Sequence, residues 1–222
     1  MSIKVALVGY GKMGQAVEEV AQEMQATIVA RIDPKLEQSA LSKEILSGVD
    51  VCIDFTTPGE VVDNIEQYAR WRCPAVVGTT GWDAQKECVQ QMVAKHESAL
   101  VWGQNFSLGV NLFMKLVQEA AHLFTESYGY DVAICETHHK QKIDRPSGTA
   151  LHLAHLLKKE VEIASTRVGY DCGQHEVVFD SKEDRVVISH TSRSRLNLAR
   201  GALKAAHWIV DKKGFFHFSE VL

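Results

Sequence analysis

The stretch "IKVALVGYGKMGQAVEEVAQEMQATIVARID", Ile3 to Asp33, decides the fold. Ile3 to Val8 is a short apolar run of strand length. Lys12 to Gln25 then carries Met13, Ala16, Val17, Val20, Ala21 and Met24 at helical spacing on one face. A second strand follows at Ile28 to Asp33. Between the first strand and the helix lies Gly9-x-Gly11-x-x-Gly14. Gly9 permits a tight turn, Gly11 lets the backbone approach a pyrophosphate, and Gly14 allows close packing of helix on strand. Free N–H groups at the helix N-terminus face the anion, and Lys12 adds charge nearby.

Asp33 ends the second strand, where an acid accepts hydrogen bonds from the adenosine ribose hydroxyls. Arg31 and Lys35 flank it, and either can reach a 2′-phosphate, so NADH and NADPH are both expected to serve. Three glycines in a strand-to-helix turn can be plain turn chemistry. With strand, helix and acid all in place, dinucleotide binding is the better reading.

Outward from this stretch the alternation continues. Strand-like runs occur at Val49 to Phe55, Ala75 to Thr80 and Ala99 to Trp102, with helical patterns at Val61 to Arg72 and Ala84 to His96. Strand, helix, strand repetition predicts a parallel sheet, hence a Rossmann-type α/β domain. "FTTPGE" (Phe55 to Glu60) and "GTTG" (Gly78 to Gly81) each follow a strand, at the sheet edge where such folds bind ligands.

After Asn105 the pattern changes. Asn111 to Phe124 and Ala150 to Lys159 read as helices, while Tyr130 to Glu136, Glu176 to Phe179 and Arg185 to Ser192 read as strands. That predicts a smaller α+β unit. Leu198 to Val210 is again an apolar-faced helix, assigned to the first domain. The expected division is therefore 1–106 with 197–222 for the dinucleotide, and 107–196 for substrate binding and oligomerisation.

Bulk properties exclude several classes. The 222 residues are 45% hydrophobic and 23% charged, which suits a packed globular chain. A net charge of −4 without a basic stripe argues against nucleic acid as a partner. Five cysteines, widely spaced and without a CxxC pair, disfavour a disulfide framework or a structural zinc site. No long apolar run exists, and the N-terminus enters a strand directly, so a cytoplasmic protein with no membrane partner is expected.

The second concentration of polar chemistry is "ETHHKQKIDRPSGTA", Glu136 to Ala150. His138 through Pro146 is expected to form a loop between strand and helix, a usual place for functional groups. Pro146 orders the turn and Ser147 caps the next helix, so the N–H groups of Gly148 and Thr149 are ready for a carboxylate. Lys142 adds a point charge, while His138 and His139 titrate near neutral pH. The bland alternative is a pair of surface histidines before an ordinary helix entry. Adjacent histidines seldom bind one ion, and His152 with His155 lack a completing ligand, so no metal is expected.

The same fifteen residues resemble the signature of the dihydrodipicolinate reductase family, E-x-H-H-x-x-K-x-D-x-P-S-G-T-A, at every fixed position. "VGYGKMG", "FTTP", "VVGTTG", "NFSLGVN" and "SRLNLARGALKAAHWI" follow in the family's order, so the resemblance spans nearly the whole chain. It implies NADH- or NADPH-dependent reduction of 4-hydroxy-tetrahydrodipicolinate in diaminopimelate and lysine biosynthesis. Hydride would reach C4 of the cyclic dicarboxylate while His138, as general acid, protonates the adjacent carbon.

By the same resemblance, Lys142 is the second catalytic residue and holds the substrate. His139, Ser147, Gly148, Thr149 and Arg195 line the substrate site, whereas Arg193 has no clear family counterpart. Met13, Phe55, Thr56, Gly78, Thr79, Thr80, Asn105 and Phe106 join the glycine turn and Asp33 in holding the cofactor. A homotetramer is implied. The segment 161–170 is shorter than in long members, and Gln174 stands where Glu is frequent, so the subunit interface is expected to differ. The rivals are another two-domain dehydrogenase with a different second-half site, and a nucleotide-binding redox sensor.

Overall fold

The structure, a computed structural model, describes residues 2–36 and 40–222. They divide into one unit that runs to Leu108 and resumes from Leu196 to Leu222, and a second, Gly109–Arg195. The chain begins with β1 (Ile3–Val8), α1 (Lys12–Ala21), β2 (Ala26–Ile32), β3 (Val51–Asp54), α2 (Val61–Trp71), β4 (Ala75–Val77), α3 (Lys86–Lys95) and β5 (Ala99–Trp102). It continues with α4 (Leu108–Ala121), β6 (Asp131–His138), α5 (Gly148–Leu156), β7 (Glu162–Arg167), β8 (Gln174–Asp180) and β9 (Arg185–Thr191). It returns to the first unit with α6 (Leu196–Ile209) and β10 (Gly214–His217). No helix among the described residues is long and apolar enough to cross a membrane.

In the first unit six parallel strands lie in the order β10-β5-β4-β3-β1-β2. Successive strand side chains point to opposite faces, so each strand feeds two cores. Val5 and Leu7 join Val17 and Val20 of α1 and Leu203 and Ala206 of α6. Ala6 and Val8 join Ile65 of α2 and Val89 of α3 on the other side. Burial on both faces is why β3 and β4 contain no alternation. Strand order reverses between β1 and β3, and the crevice outside their carboxyl ends is where ligands of such sheets bind.

Two elements differ from the periodicity. The first helix stops at Ala21, and Gln25, with φ of +53°, turns the chain into β2. β10 is a four-residue edge strand, too short for its pattern to register.

The second unit is a four-stranded sheet, β7-β6-β8-β9, with β7 parallel to β6 and the other pairs antiparallel. Val132 and Ile134 of β6 and Val177 and Phe179 of β8 form its inner face, covered by Phe113 and Val117 of α4 and Ala150 and Leu153 of α5. β7 escapes a periodicity reading because its half-buried positions are Ile163, Ser165 and Arg167, two of them polar. β6 runs to His138, so this histidine closes a strand and does not open the loop. With alternate residues turned inward, Glu136 and His138 continue the buried face beyond Ile134.

Candidate active site

At the nucleotide end, Gly9 (φ +84°) donates its N–H to the Ile32 carbonyl at 2.8 Å. A Cβ there would lie 2.4 Å from the Phe55 carbonyl oxygen, and one at Gly14 would lie 2.4 Å from the Gly9 oxygen, so both close approaches require glycine. Beside Gly11 a Cβ would meet nothing within 4 Å, which leaves open space at the N-terminus of α1. That cradle fits a pyrophosphate. Lys12 is exposed and Met13 half-buried beside it.

Asp33 is tied to the same turn. Its Oδ1 accepts the Lys35 N–H and its Oδ2 the Tyr10 N–H, each at 2.9 Å. These bonds hold the carboxyl below its usual range, so it stays an ionised acceptor. Arg31 is engaged elsewhere: Glu18 takes its Nε at 2.9 Å and its second nitrogen in an ion pair. The Tyr10 hydroxyl also donates to Glu18, and the guanidinium lies 6.0 Å from the Tyr10 ring centroid.

The two threonine loops share a buried organiser that sequence reasoning missed. Asp54 Oδ1 accepts from Thr56 N at 3.0 Å, Thr56 Oγ1 at 2.7 Å and Thr79 Oγ1 at 3.2 Å. Oδ2 accepts from Asn64 at 3.1 Å and the Tyr68 hydroxyl at 2.8 Å. The signal was an acid closing the apolar strand "VCID". Gly78 packs on the Phe55 ring, where a Cβ would lie 2.1 Å from a ring carbon. Thr80 is exposed at the tip, and Asn105 Oδ1 accepts the Ser107 N–H at 2.9 Å.

Three side chains expected at ligands turn inward instead. The Phe106 ring is buried against Phe55 and Phe218, with centroids 6.3 and 4.7 Å apart. Thr79 is buried on Asp54. Ser147 is also buried: its Oγ accepts the Ala150 N–H at 3.2 Å as the cap of α5, and lies 3.1 Å from His175 Nε2. These residues support the walls, and their polar or aromatic groups are spent within the protein.

The histidine end assembles on three strands. Glu136 and His138 are neighbours on the inner face of β6, and His138 Nδ1 is hydrogen-bonded to Glu136 Oε2. Arg167 of β7 pairs with Glu136 Oε1 at 2.8 Å. His175, opposite Glu136 on β8, packs edge-on to His138 with centroids 5.1 Å apart. Burial raises the Glu136 carboxyl, but Arg167, Ser165 and His138 outweigh it and hold the group at about 2. Burial lowers His138, and Glu136 opposes that shift. Burial and the nearby His138 lower His175 to about 4.

Around this group, Lys142 Nζ donates to Asp144 at 2.9 Å, and the half-buried His139 donates its backbone N–H to the Asp171 carbonyl at 2.9 Å. Gly148 and Thr149 open the first turn of α5. Arg195 and Arg193 are exposed before α6, outside the buried group. Glu136, Arg167 and His175 were missed as site residues; the detectable signal was Glu136 and His138 two apart on an alternating strand. Glu136, His138 and His175 offer donor atoms within 4.8 Å of one another. Arg167 already holds Glu136, so a divalent cation there would meet a fixed positive charge, and the trio suits proton handling better.

Comparison with known proteins identifies the family. The family descriptions "Dihydrodipicolinate reductase, N-terminus" and "Dihydrodipicolinate reductase, C-terminus" match residues 3–106 and 109–222. The chain is 36% identical to a 4-hydroxy-tetrahydrodipicolinate reductase of Christiangramia forsetii, over 99% of this chain and 98% of that protein. It is 33% identical to one of Zymomonas mobilis, over 100% and 97%. A dipicolinate-bound dihydrodipicolinate reductase from Paenisporosarcina sp. TG-14 shares the fold, with a TM-score of 0.84 at 23% identity and full coverage of both chains. Two matching family halves and relatives above 30% identity along the whole length place the sequence without ambiguity: the chain belongs to the dihydrodipicolinate reductase family.

Proposed function

We propose that the protein catalyses the NADH- or NADPH-dependent reduction of 4-hydroxy-tetrahydrodipicolinate to tetrahydrodipicolinate, a step of diaminopimelate and lysine biosynthesis. The observation that carries this reading is His138, buried at a strand end and hydrogen-bonded to an ionised carboxylate, within a signature that matches the family at every fixed position.

Once the 4-hydroxyl has left as water to give the conjugated imine, the reduced nicotinamide, when bound, would supply hydride to C4 of the ring. The protein's own residues bind, orient and protonate. Gly9, Gly11 and Gly14 with the N-terminus of α1 take the pyrophosphate, and Asp33 takes the ribose hydroxyls. Phe55, Thr56, Gly78, Thr80 and Asn105 shape the nicotinamide side, held by Asp54 beneath. Gly148 and Thr149 offer N–H groups to one substrate carboxylate, while Lys142, His139 and Arg195 supply charge and donors around the ring. His138 delivers the proton to the carbon beside C4.

The first unit thus serves the dinucleotide and the second the substrate and assembly. The homotetramer is assigned to the outward face of the second sheet, where Ala133, Cys135, Thr137, Val178, Val187 and Ser189 lie among the polar Gln174, Glu176 and Arg185 on the side away from the unit's core. A cytoplasmic location follows from the biosynthetic role.

The test is a coupled assay in which dihydrodipicolinate synthase makes substrate from pyruvate and aspartate semialdehyde, with NADH and NADPH run separately. Synthase-dependent oxidation, lost by at least ~100-fold in His138→Ala at unchanged nucleotide affinity, is expected. Nucleotide binding without any oxidation would favour a sensor and sink the reading.

A further inference from the structure

Three strands converge on one imidazole. Glu136 precedes His138 by two residues on β6, Arg167 is the register partner of His138 on β7, and His175 is the register partner of Glu136 on β8. We infer that Glu136, anchored by Arg167, is the positioning residue of the reaction, fixing the Nδ1 proton of His138 so that Nε2 is the nitrogen that gives up the transferred proton. The inference deepens the proposed function, since it rests on His138 as the general acid.

The geometry argues this in steps. An ionised carboxylate only accepts hydrogen bonds, so the His138 Nδ1 facing Glu136 Oε2 carries its proton whether the ring is neutral or charged. An ion pair restrains Glu136 from its other side. Arg167 Nη2 holds Oε1 at 2.8 Å, and the guanidinium is itself fixed by the Asp144 carbonyl at 2.6 Å and the Thr166 carbonyl at 2.8 Å. Nε2, by contrast, borders Gly173, the residue without a side chain, where a Cβ would intrude to 2.9 Å. One nitrogen is therefore committed, while Nε2 makes no hydrogen bond among the described residues.

The electrostatics need the same acid. The groups facing the His138 ring are Glu136 on its own strand, Arg167 from β7, His175 from β8 and Lys142 from the following loop. Burial, Lys142 and Arg167 all disfavour the imidazolium, and Glu136 is the group that favours it. Arg167 in turn helps keep Glu136 ionised. In turnover the N–H bond at Nε2 breaks and a C–H bond forms beside the carbon that received hydride. His138 is left neutral, still donating Nδ1–H to Glu136, and solvent returns the proton to Nε2.

The experiment is made on the full chain with Glu136→Gln, a neutral side chain of the same shape. Removing the charge lowers the His138 pKa, so the alkaline limb of the kcat profile should move to lower pH by about one unit. At neutral pH kcat should fall roughly 10- to 100-fold with nucleotide affinity unchanged. Arg167→Met should also lower kcat at neutral pH by loosening Glu136, but without the downward shift of the limb, since it removes a cation that disfavours the imidazolium, and Arg167→Lys should restore most of the rate.

Nitrogen-15 NMR of the histidines reads the same point without turnover and without a variant. Wild-type His138 should keep Nδ1 protonated across its titration while Nε2 exchanges. A neutral form protonated at Nε2, or an unmoved limb in Glu136→Gln, overturns the inference. If the wild type binds nucleotide but turns nothing over, the reductase reading fails, and the NMR result still decides the positioning role.

Discussion

Gly173 stands against the imidazole of His138, where a Cβ would lie 2.9 Å from Nε2 and 3.1 Å from Cδ2. Its φ of +127° is held by an N–H bond to Asp171 Oδ1 at 2.8 Å and by its own carbonyl, which accepts Ser192 N–H at 2.8 Å. Gly173→Ala should therefore strain the backbone by about 1–3 kcal/mol and obstruct the reacting nitrogen. Turnover is expected to drop about tenfold or more while NADH affinity, read by nucleotide fluorescence, stays as it is. Wild-type turnover in Gly173→Ala would mean that Nε2 does not face substrate.

The first domain was legible because its signals are local. Gly9, Gly11 and Gly14 sit within one turn, and the apolar stripes of α1 and α6 recur within single helices. The histidine site was legible only in part. His138 and Lys142 are neighbours in sequence, but Arg167 and His175 reach Glu136 through strand pairing, which spacing along the chain does not encode. Asp54 was hidden for the same reason, because Asn64, Tyr68 and Thr79 meet it only when β3, α2 and the loop after β4 close together. Ser147 was legible in one role: its capping of α5 was local and readable, whereas its contact with His175 was not.

Asp54 ties both threonine loops to the sheet, so its loss should act on stability and nucleotide binding together. Asp54→Ala leaves the donors of Thr56, Asn64, Tyr68 and Thr79 without their acceptor, at about 1–3 kcal/mol for each group that water fails to reach. Urea unfolding should show a loss of roughly 3 kcal/mol or more, with nucleotide affinity weakened about tenfold. Tyr68→Phe removes one donor far from the loop tips and should cost only about 1 kcal/mol at unchanged affinity. Equal affinity loss in both variants would deny Asp54 its loop-positioning role.

The buried histidines predict a pH-dependent stability of definite sign. His175 sits at about 4 in the folded chain, below its ordinary value near ~6.5, so the unfolded state takes the proton first as pH falls. Its stabilising effect is whole above ~6.5 and is lost progressively down to about 4. Between pH 7 and 5 the unfolding free energy should drop by about 2 kcal/mol from this group, with His138 and His190 adding in the same direction. Denaturant titrations of His175→Gln should show a flatter slope over that range. An unchanged slope would place the dependence on other groups.

Glu18 decides what Arg31 can offer a nucleotide. The guanidinium is drawn onto Glu18 by two of its nitrogens, beside a Tyr10 hydroxyl bound to the same carboxylate, while Asp33 at the end of the same strand remains an ionised acceptor. An acid in that place suits a ribose hydroxyl and repels a 2′-phosphate, and the cation that would offset it is neutralised by Glu18. Glu18→Gln should release Arg31 and lower the KM for NADPH by about tenfold, the scale of one charge-assisted bond, with NADH little changed. Adding Arg31→Ala should cancel the gain. If both KM values move together, or if the gain survives loss of Arg31, then Lys35 or another cation governs the choice between nucleotides.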